Sequence, residues 1–587
     1  MKSKWLVYAK KADFKAIEQK YGIDQVVARI MRNRDVCTDE EMQMYLNGSI
    51  EGLRAPELLK DAQKAVDILT EKIAQHKKIR IIGDYDIDGI CSITILYKAL
   101  KKAGADVDYV VPHRITDGYG INEHLIDNAA AEGKDTILTC DNGIAAIDEI
   151  AWAKAQKMTV LVTDHHAVPF EEHEGRRTEK KSLADAVVNP HQQDCGYPYK
   201  ELCGAGVAWN VIRVLYENYD MDKREAEDLL DFVAMATVCD VMSLTGENRI
   251  LVKEGLKRIR HTKNIGLQAL MQACNVQPEN ISAYHFGYVL GPCVNATGRL
   301  DTARHALRLF ETGQETEAEE IARDLVDLNQ ERKELTLQGV EMAKKLCEEG
   351  GYENDPVLVL FLPDVHESIA GLIAGRIREM YNRPVFVLTR GEEGVKGSGR
   401  STENYSMYEN MCGCAELFTK FGGHPMAAGL SLPEENVEKF RRKINENCPL
   451  TVEEVCPDIH IDMAMPVGYA STELVHQFAL LEPFGKDNPS PLFADRNLSI
   501  SRMWLIGKNR NVLRMSVLSE YGQPVPVIFF GDVETLFAYF TEKFGQEEVE
   551  NALHGRKNRI LFSMVYTAKI DFYQGNENLQ LEMKYYR

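Results

Sequence analysis

The sequence predicts an α/β protein of several domains: a mostly parallel sheet, a long helix, a second and smaller α/β unit, and a C-terminal all-β barrel or sandwich. Three observations predict it. The 587-residue chain is too long for one hydrophobic core. Between residues 56 and 302 short apolar runs alternate with helical patterns, as strands joined by crossovers do. From residue 452 onward, short alternating runs follow one another with turn residues between them.

Residues 1–55 read as a polar, helical segment without a chemical motif. In 56–302 the strand candidates are IRII before Gly83, VDYVV (107–111), TILTC (136–140), MTVLVT (158–163) and AVVN (186–189). Residues 303–349 carry no strand signal. Ile321, Leu325, Leu328 and Leu335 recur there at helical spacing among many charges, which predicts one long, exposed connecting helix ended by Gly350-Gly351. Residues 350–451 hold strand VLVLF (357–361), a helix over about 368–380, strand PVFVL (384–388) and two glycine-rich segments, VKGSGRS and FGGHPMAAGL. In 452–587 the runs IHIDM, LSISRMWLI, VLRMSVL, VPVIFF, ILFSMVY and LQLEMKYY read as strands, with GKNRN (507–511) as a hairpin turn.

No apolar stretch approaches the roughly 20 residues of a membrane span, and the N-terminus has no apolar signal-peptide core. The 13 cysteines are scattered, with a C-x-C at Cys412 and Cys414 and no C-x-x-C. That predicts a reducing cytoplasm and argues against a disulfide scaffold or a thiolate zinc site. The net charge of −20 weighs against broad duplex binding, while leaving room for a local basic groove.

The chemistry concentrates in four places. Asp84, Asp86 and Asp88 alternate right after an apolar run, on a strand-to-helix turn, where open α/β sheets place ligands. Crowded carboxylates repel unless a cation holds them. Asp141 directly follows TILTC; Asp164, His165 and His166 directly follow MTVLVT. Imidazole is the commonest nitrogen ligand for metals, and Asp164 can orient a neighbouring ring. Asp240 interrupts the apolar segment AMATVCDVMSL, and a buried aspartate must be paired or ligated. Singly, each has a plain counterpart: a solvated acidic turn, a turn-forming Asp-Asn-Gly, surface histidines, a helix cap. Together, three of them sit where strands of one parallel sheet end. Carboxylates with histidine and no thiolate suit Mn²⁺ or Mg²⁺, and several carboxylates suggest two ions.

DYDIDG (84–89), CDNG (140–143), the triplet Asp164-His165-His166 and the isolated Asp240 resemble the DHH phosphoesterase superfamily. SGRS (398–401) and GGHPMAAG (422–429) resemble the DHHA1 domain of one branch. GPCVNATGRL (291–300) and LEPFGKDNPSPLF (481–493) resemble that branch's single-strand-specific DNA exonucleases, and the β tail resembles an oligonucleotide-binding (OB) barrel. The resemblance implies a DHH domain at 56–302, a connecting helix at 303–349, a DHHA1 domain at 350–451 and an OB-like domain at 452–587.

It further implies that Asp86, Asp88, Asp141, His165 and Asp240 hold two Mn²⁺ or Mg²⁺ ions, with Asp84, Asp164 and His166 beside them in catalytic roles. Whether Asp84 or Asp86 binds directly stays open. An Arg fork matches phosphate bidentately. Arg400 lies with Ser398 in a glycine-rich segment; with Arg114 they would form a pocket for a terminal 5′-phosphate. Arg299 would hold a nearby phosphodiester, His424 would face the metals and stabilise transition-state charge, and Tyr119 could stack on a base. Lys508, Arg510 and Arg514, and a second cluster at His554, Arg556, Lys557 and Arg559, are candidate backbone contacts.

The implied activity is 5′→3′ hydrolysis of single-stranded DNA to 5′-mononucleotides, in recombination and repair. The implied enzyme is monomeric and cytoplasmic, works away from membranes, and has a single-strand-binding protein and a helicase as partners. A phosphodiesterase of small nucleotides or a non-catalytic DNA-binding scaffold are the competing readings. The long β tail argues against the first, and the complete set of carboxylates against the second.

Overall fold

The computed structural model describes residues 3–113, 120–173, 176–300, 302–352, 355–391, 394–450, 457–507, 510–573 and 575–587. The chain divides into two compact units, one of residues 53–242 and 250–457, the other of 3–52, 243–249 and 458–587.

The first unit begins with a five-stranded parallel sheet, in the order Asp106–Val110, Lys78–Gly83, Thr136–Cys140, Thr159–Thr163, Ala186–Val188. Thr136–Cys140 is buried throughout and Lys78–Gly83 is buried after its first residue. Parallel strands covered on both faces need such unbroken apolar runs. The register aligns the strand ends. Gly83 pairs with Cys140, and Cys140 pairs with Thr163. The residues that come next, Asp84, Asp141 and Asp164, therefore leave one edge of the sheet side by side.

Helix Ile87–Lys102 continues from this edge. Asp86 caps it, its Oδ1 accepting the amides of Asp88 at 3.0 Å and Gly89 at 3.1 Å. Lys101 and Lys102 in its last turn complement the helix dipole. Helices Gly204–Asn218 and Leu230–Cys239 pack against it. The second is buried from Leu230 to Thr237, which accounts for the apolar AMATVC run, and Asp240 is its C-cap.

The connecting helix expected over 303–349 is two helices, Ala303–Glu311 and Glu315–Glu349. Thr312 is extended (ψ 140°), and Glu317 accepts from both Arg308 and the Thr312 hydroxyl, which fixes the break. The longer helix is also less exposed than its charges suggest. It buries Ala318, Ile321, Ala322 and Leu325, then Val340, Ala343 and Cys347.

The unit ends with a mixed five-stranded sheet in the order Lys420–His424, Ala427–Leu432, Gly394–Arg400, Val385–Gly391, Leu358–Phe361. Helix Glu367–Tyr381 covers one face with Ile369, Ile373 and Ile377; Phe386, Met407 and Phe440 fill the other.

In the second unit, strands Phe493–Ile506, Val512–Leu518, Pro524–Phe529, Asn576–Tyr586 and Leu561–Tyr573 pair in sequence, and Phe493–Ile506 pairs again with Leu561–Tyr573. This closes a barrel and removes its edges. Two helices not expected from the sequence, Val533–Phe544 and Gln546–Leu553, stand between its strands. The aromatic content of the first favours a strand locally, yet Val533, Leu536 and Phe540 share one helical face and bury it.

The segment 1–55, expected as helical alone, also supplies strand Lys4–Val7, parallel to Asp458–Ile461. Val26, Val27, Ile30 and Met31 of helix Gln25–Asn33 join the barrel core. Each such burial is worth roughly 1.5–3 kcal/mol. The Arg34 guanidinium meets Asp462 at 2.6 Å with both side chains only 4% exposed. Among the described residues no helix is long and apolar enough to cross a membrane.

Candidate metal centre

Three strand ends and one helix end bring the acidic and imidazole groups together. His165 Nε2 lies 3.1 Å from Asp141 Oδ1, 3.6 Å from Asp88 Oδ2 and 3.7 Å from Asp240 Oδ2. Ligand atoms of Asp88, His165 and Asp240 lie within 4.8 Å of one another; so do those of Asp141, His165 and His166, and those of Asp84, Asp86 and Asp141. Asp141 and His165 thus belong to overlapping sets, the arrangement expected where ligands are shared between two neighbouring ions.

The local backbone explains the convergence. Asp141 takes φ 58°, a left-handed conformation that aspartate tolerates, while its amide still bonds to the Thr163 carbonyl at 3.1 Å. The buried Asn142 donates to the carbonyls of Ile82 and Cys140 and ties the neighbouring strand ends together. Asp164, 1% exposed, accepts the amides of Ile144, His165 and His166 and holds His166 Nδ1 at 2.8 Å. Val241, next to Asp240, has φ 56°, a strained value for a β-branched residue.

Electrostatics follow from the crowding. Burial, reinforced by Asp88, Asp86, Asp84 and Asp240, pushes the Asp141 carboxyl well above its usual range. Burial and then Asp88 raise Asp86. Burial keeps His165 below its ordinary value, hence a neutral ring at pH 7. Burial pulls His166 down too, but its bond to Asp164 outweighs this and raises it to about 9. Asp164, despite burial, is lowered by His166 and the Ile144 amide.

The donor set fits divalent cations. Cys140, Cys203 and Cys239 stand in the same neighbourhood and burial raises all three thiols, but none of them joins the candidate ligand groups found among the described residues. Carboxylate oxygens and neutral imidazole remain, which suits Mn²⁺ or Mg²⁺.

A cavity of about 500 Å³ is lined by Tyr85 and Arg299 on one side and by Ser368, Ser398, Arg400 and Lys420 on the other. Arg299 Nη1 donates to the Ser368 carbonyl at 2.7 Å, and Arg400 Nη1 to Gly399 at 2.7 Å and to Ser398 Oγ at 3.3 Å. Arg299 and Arg400 also line a second cavity of about 790 Å³ with Arg332, Lys333, Arg376 and Arg378, where Glu379 is the one acidic neighbour among the described residues. His424 is exposed at the end of strand Lys420–His424, whereas the cavity lining reaches Gly422. In the barrel unit, Arg510 is exposed on its hairpin, Arg514 pairs with Trp504, and Arg559 is held by Glu548 at 2.7 Å. Arg114, Tyr119 and Lys508 lie outside the described residues.

Residues 78–237 match the DHH family, N-terminal domain; residues 354–448 match the DHHA1 domain and 461–585 the RecJ OB domain. The chain is 32% identical over 578 residues to the single-stranded-DNA-specific exonuclease RecJ of Haemophilus influenzae, with 95% of each chain covered. The chain belongs to the RecJ family. With RecJ of Bacillus subtilis it shares 31% identity over 527 residues, which cover 89% of this chain and 65% of that one. The crystal structure of RecJ in complex with Mn²⁺ from Thermus thermophilus matches with a TM-score of 0.80 and 25% identity, over 100% of this chain and 79% of that one.

Several residues of this RecJ-family site escape a sequence reading. The amides of Gly204 and Ala205 grip Asp88, and the small-residue run Cys203-Gly204-Ala205-Gly206 is the signal that marks them. Asn295 accepts the Ile87 amide at 2.9 Å and so anchors the loop of three aspartates. A Cβ at Gly371 would come within 2.8 Å of both Arg400 Nη2 and Ser398 Oγ, so a larger residue there would make that pair shift.

Proposed function

We propose that the chain is a metal-dependent exonuclease that hydrolyses single-stranded DNA from the 5′ end to 5′-mononucleotides. The convergence of Asp88, Asp141, His165 and Asp240 carries the reading. Those four with Asp86 would hold two Mn²⁺ or Mg²⁺ ions, and Asp84 would steady the cluster from behind. Bound divalent ions supply Lewis acidity at the phosphate and lower the pKa of the hydrolytic water.

The chain's own residues do the rest. His166, kept protonated by Asp164, offers an N–H donor to charge developing on the phosphate. Arg400 and Ser398 would bind the terminal phosphate, which sets the polarity, and Arg114 is assigned to the same phosphate; Arg299 would take the next phosphodiester. His424 is assigned to transition-state charge and Tyr119 to a base. The basic cavity of Arg332, Lys333, Arg376 and Arg378, edged by the exposed Tyr288 stacked on Tyr284, supports a track for a flexible strand. In the barrel, Arg502 and Arg514 flank Trp504, a pairing that suits single-strand stacking, and Arg510 and Lys508 are assigned to the strand's backbone as well.

The reading extends to a cytoplasmic monomer that works in recombination and repair beside a single-strand-binding protein and a helicase. Digestion of 5′- and 3′-labelled single strands with Mn²⁺, with and without a 5′-phosphate, tests the core of it. Early release of the 5′ label as a mononucleotide is expected. Release of the 3′ label first, or equal cleavage of duplex, would overturn it.

A further inference from the structure

Away from the carboxylates, two thiols touch. Cys274 caps the C-terminus of helix Ile265–Ala273 and is partly exposed; Cys293 lies on helix Gly291–Leu300 and is 2% exposed. Their sulfurs stand 3.7 Å apart. We propose that Cys274 and Cys293 form a reversible disulfide under hydroperoxide, and that this bond lowers nuclease activity.

The surroundings favour the chemistry. Asn329 Nδ2 donates to Cys293 Sγ at 3.3 Å. The hydrogen bond shared with Cys274, then Asn329, Lys333 and Arg332, lower Cys293 against its burial, which favours its thiolate as the attacking group once its proton leaves the Val289 carbonyl. The Cys293 thiolate attacks one peroxide oxygen; the O–O bond breaks, and water leaves after the other oxygen takes up a proton. The resulting sulfenic acid is displaced by the Cys274 thiol, which forms the S–S bond and releases a second water. Two thiols lose two electrons and two protons to one peroxide, and a dithiol reverses the step.

Closure reaches the active site through named contacts. A disulfide needs about 2.05 Å between sulfurs, so the two side chains, and with them the helix ends that carry them, must readjust. Two residues beyond Cys293, Asn295 holds the Ile87 amide at the aspartate loop. Asn329, whose sulfur acceptor would move and lose its thiolate character, also holds the Arg332 guanidinium at 2.9 and 3.1 Å at the wall of the basic cavity. The inhibitory half of the proposal rests on the nuclease reading; the bond itself does not.

The test uses the full-length, fully reduced protein. It is treated with hydrogen peroxide, quenched with N-ethylmaleimide, mapped by peptide mass and assayed on single-stranded DNA. A peptide joining Cys274 to Cys293, lighter than the sum of its thiol forms by two hydrogens, is expected. With it, activity should fall at least about tenfold, the lower end for disturbing groups around a metal site, and dithiothreitol should restore it. Cys274→Ser should keep basal activity and lose both effects. Absence of the joined peptide overturns the proposal, as does a joined peptide with unchanged activity. An inactive reduced enzyme would instead count against the nuclease reading, with the mass map still deciding the bond.

Discussion

Asp88 is held by Gly204: its Oδ2 accepts the Gly204 amide at 2.6 Å while Oδ1 accepts the Ala205 amide at 2.7 Å. These are the first amides of helix Gly204–Asn218, where the helix dipole is positive. One carboxylate of the crowd is therefore fixed by backbone from a different part of the chain, before any cation arrives.

Gly204→Ala tests that fit. A Cβ there would lie 2.7 Å from Asp141 Cβ and 2.9 Å from its Oδ1. Asp141 must shift, and Mn²⁺-dependent hydrolysis is expected to fall about 10–100-fold. Circular dichroism should stay unchanged. Wild-type kcat in the variant would show that the contact does not position Asp141.

Asp141→Asn should separate stability from activity. Burial and four neighbouring aspartates hold the Asp141 carboxyl well above its unfolded value of 3.8. The metal-free folded state therefore binds this proton more tightly than the unfolded chain does. Hence the stability lost to ionised Asp141 is absent at pH below 3.8 and grows as pH rises through the raised value. In EDTA at pH 8, Asp141→Asn should melt at a higher temperature than wild type, with a smaller change between pH 5 and 8. Added Mn²⁺ should raise the wild-type midpoint and leave the variant's nearly unmoved. A lower EDTA midpoint for the variant would contradict the assignment.

Much of this was legible in the sequence, for a physical reason. Strands buried on both faces leave long apolar runs, so TILTC and MTVLVT mark their own ends, and Asp141 and Asp164 sit one residue past them. What sequence could not give is which remote backbone meets which carboxylate. The grip of Gly204 on Asp88, and the room at Gly371 for Arg400, depend on tertiary approach across more than a hundred residues or between a helix and a sheet. The helix expected over 303–349 failed at Thr312 because one carboxylate, Glu317, bonds back across the break, a local contact that apolar periodicity does not record. Helix Val533–Phe544 of the barrel unit was hidden by aromatic residues that favour strands, and Gln546–Leu553 by its few apolar positions.

Arg400→Ala should change which ends are accepted. Removing a charge-assisted hydrogen-bonding partner costs about 1.5–3 kcal/mol, so the preference for a 5′-phosphate over a 5′-hydroxyl should shrink about 10–100-fold. The change belongs in KM. An unaltered preference in steady-state assays of the two substrates would remove Arg400 from the phosphate pocket.

Arg34→Met should destabilise the barrel unit. The variant leaves Asp462, 4% exposed, without its cationic partner. Breaking one side of a buried pair costs about 3–5 kcal/mol. Urea unfolding followed by tryptophan fluorescence should show an earlier transition, and the double variant Arg34→Met/Asp462→Leu should recover much of it. Equal midpoints for Arg34→Met and wild type would mean that the N-terminal segment is not bound to the barrel by this pair.

Counting bound Mn²⁺ by electron paramagnetic resonance under saturating conditions is the most direct measurement of all. Two ions per chain are expected in the wild type, with exchange coupling between neighbours, and loss of that coupling in Asp141→Ala. One uncoupled ion in the wild type, or an unchanged pair in Asp141→Ala, would contradict a shared site built on Asp88, Asp141, His165 and Asp240.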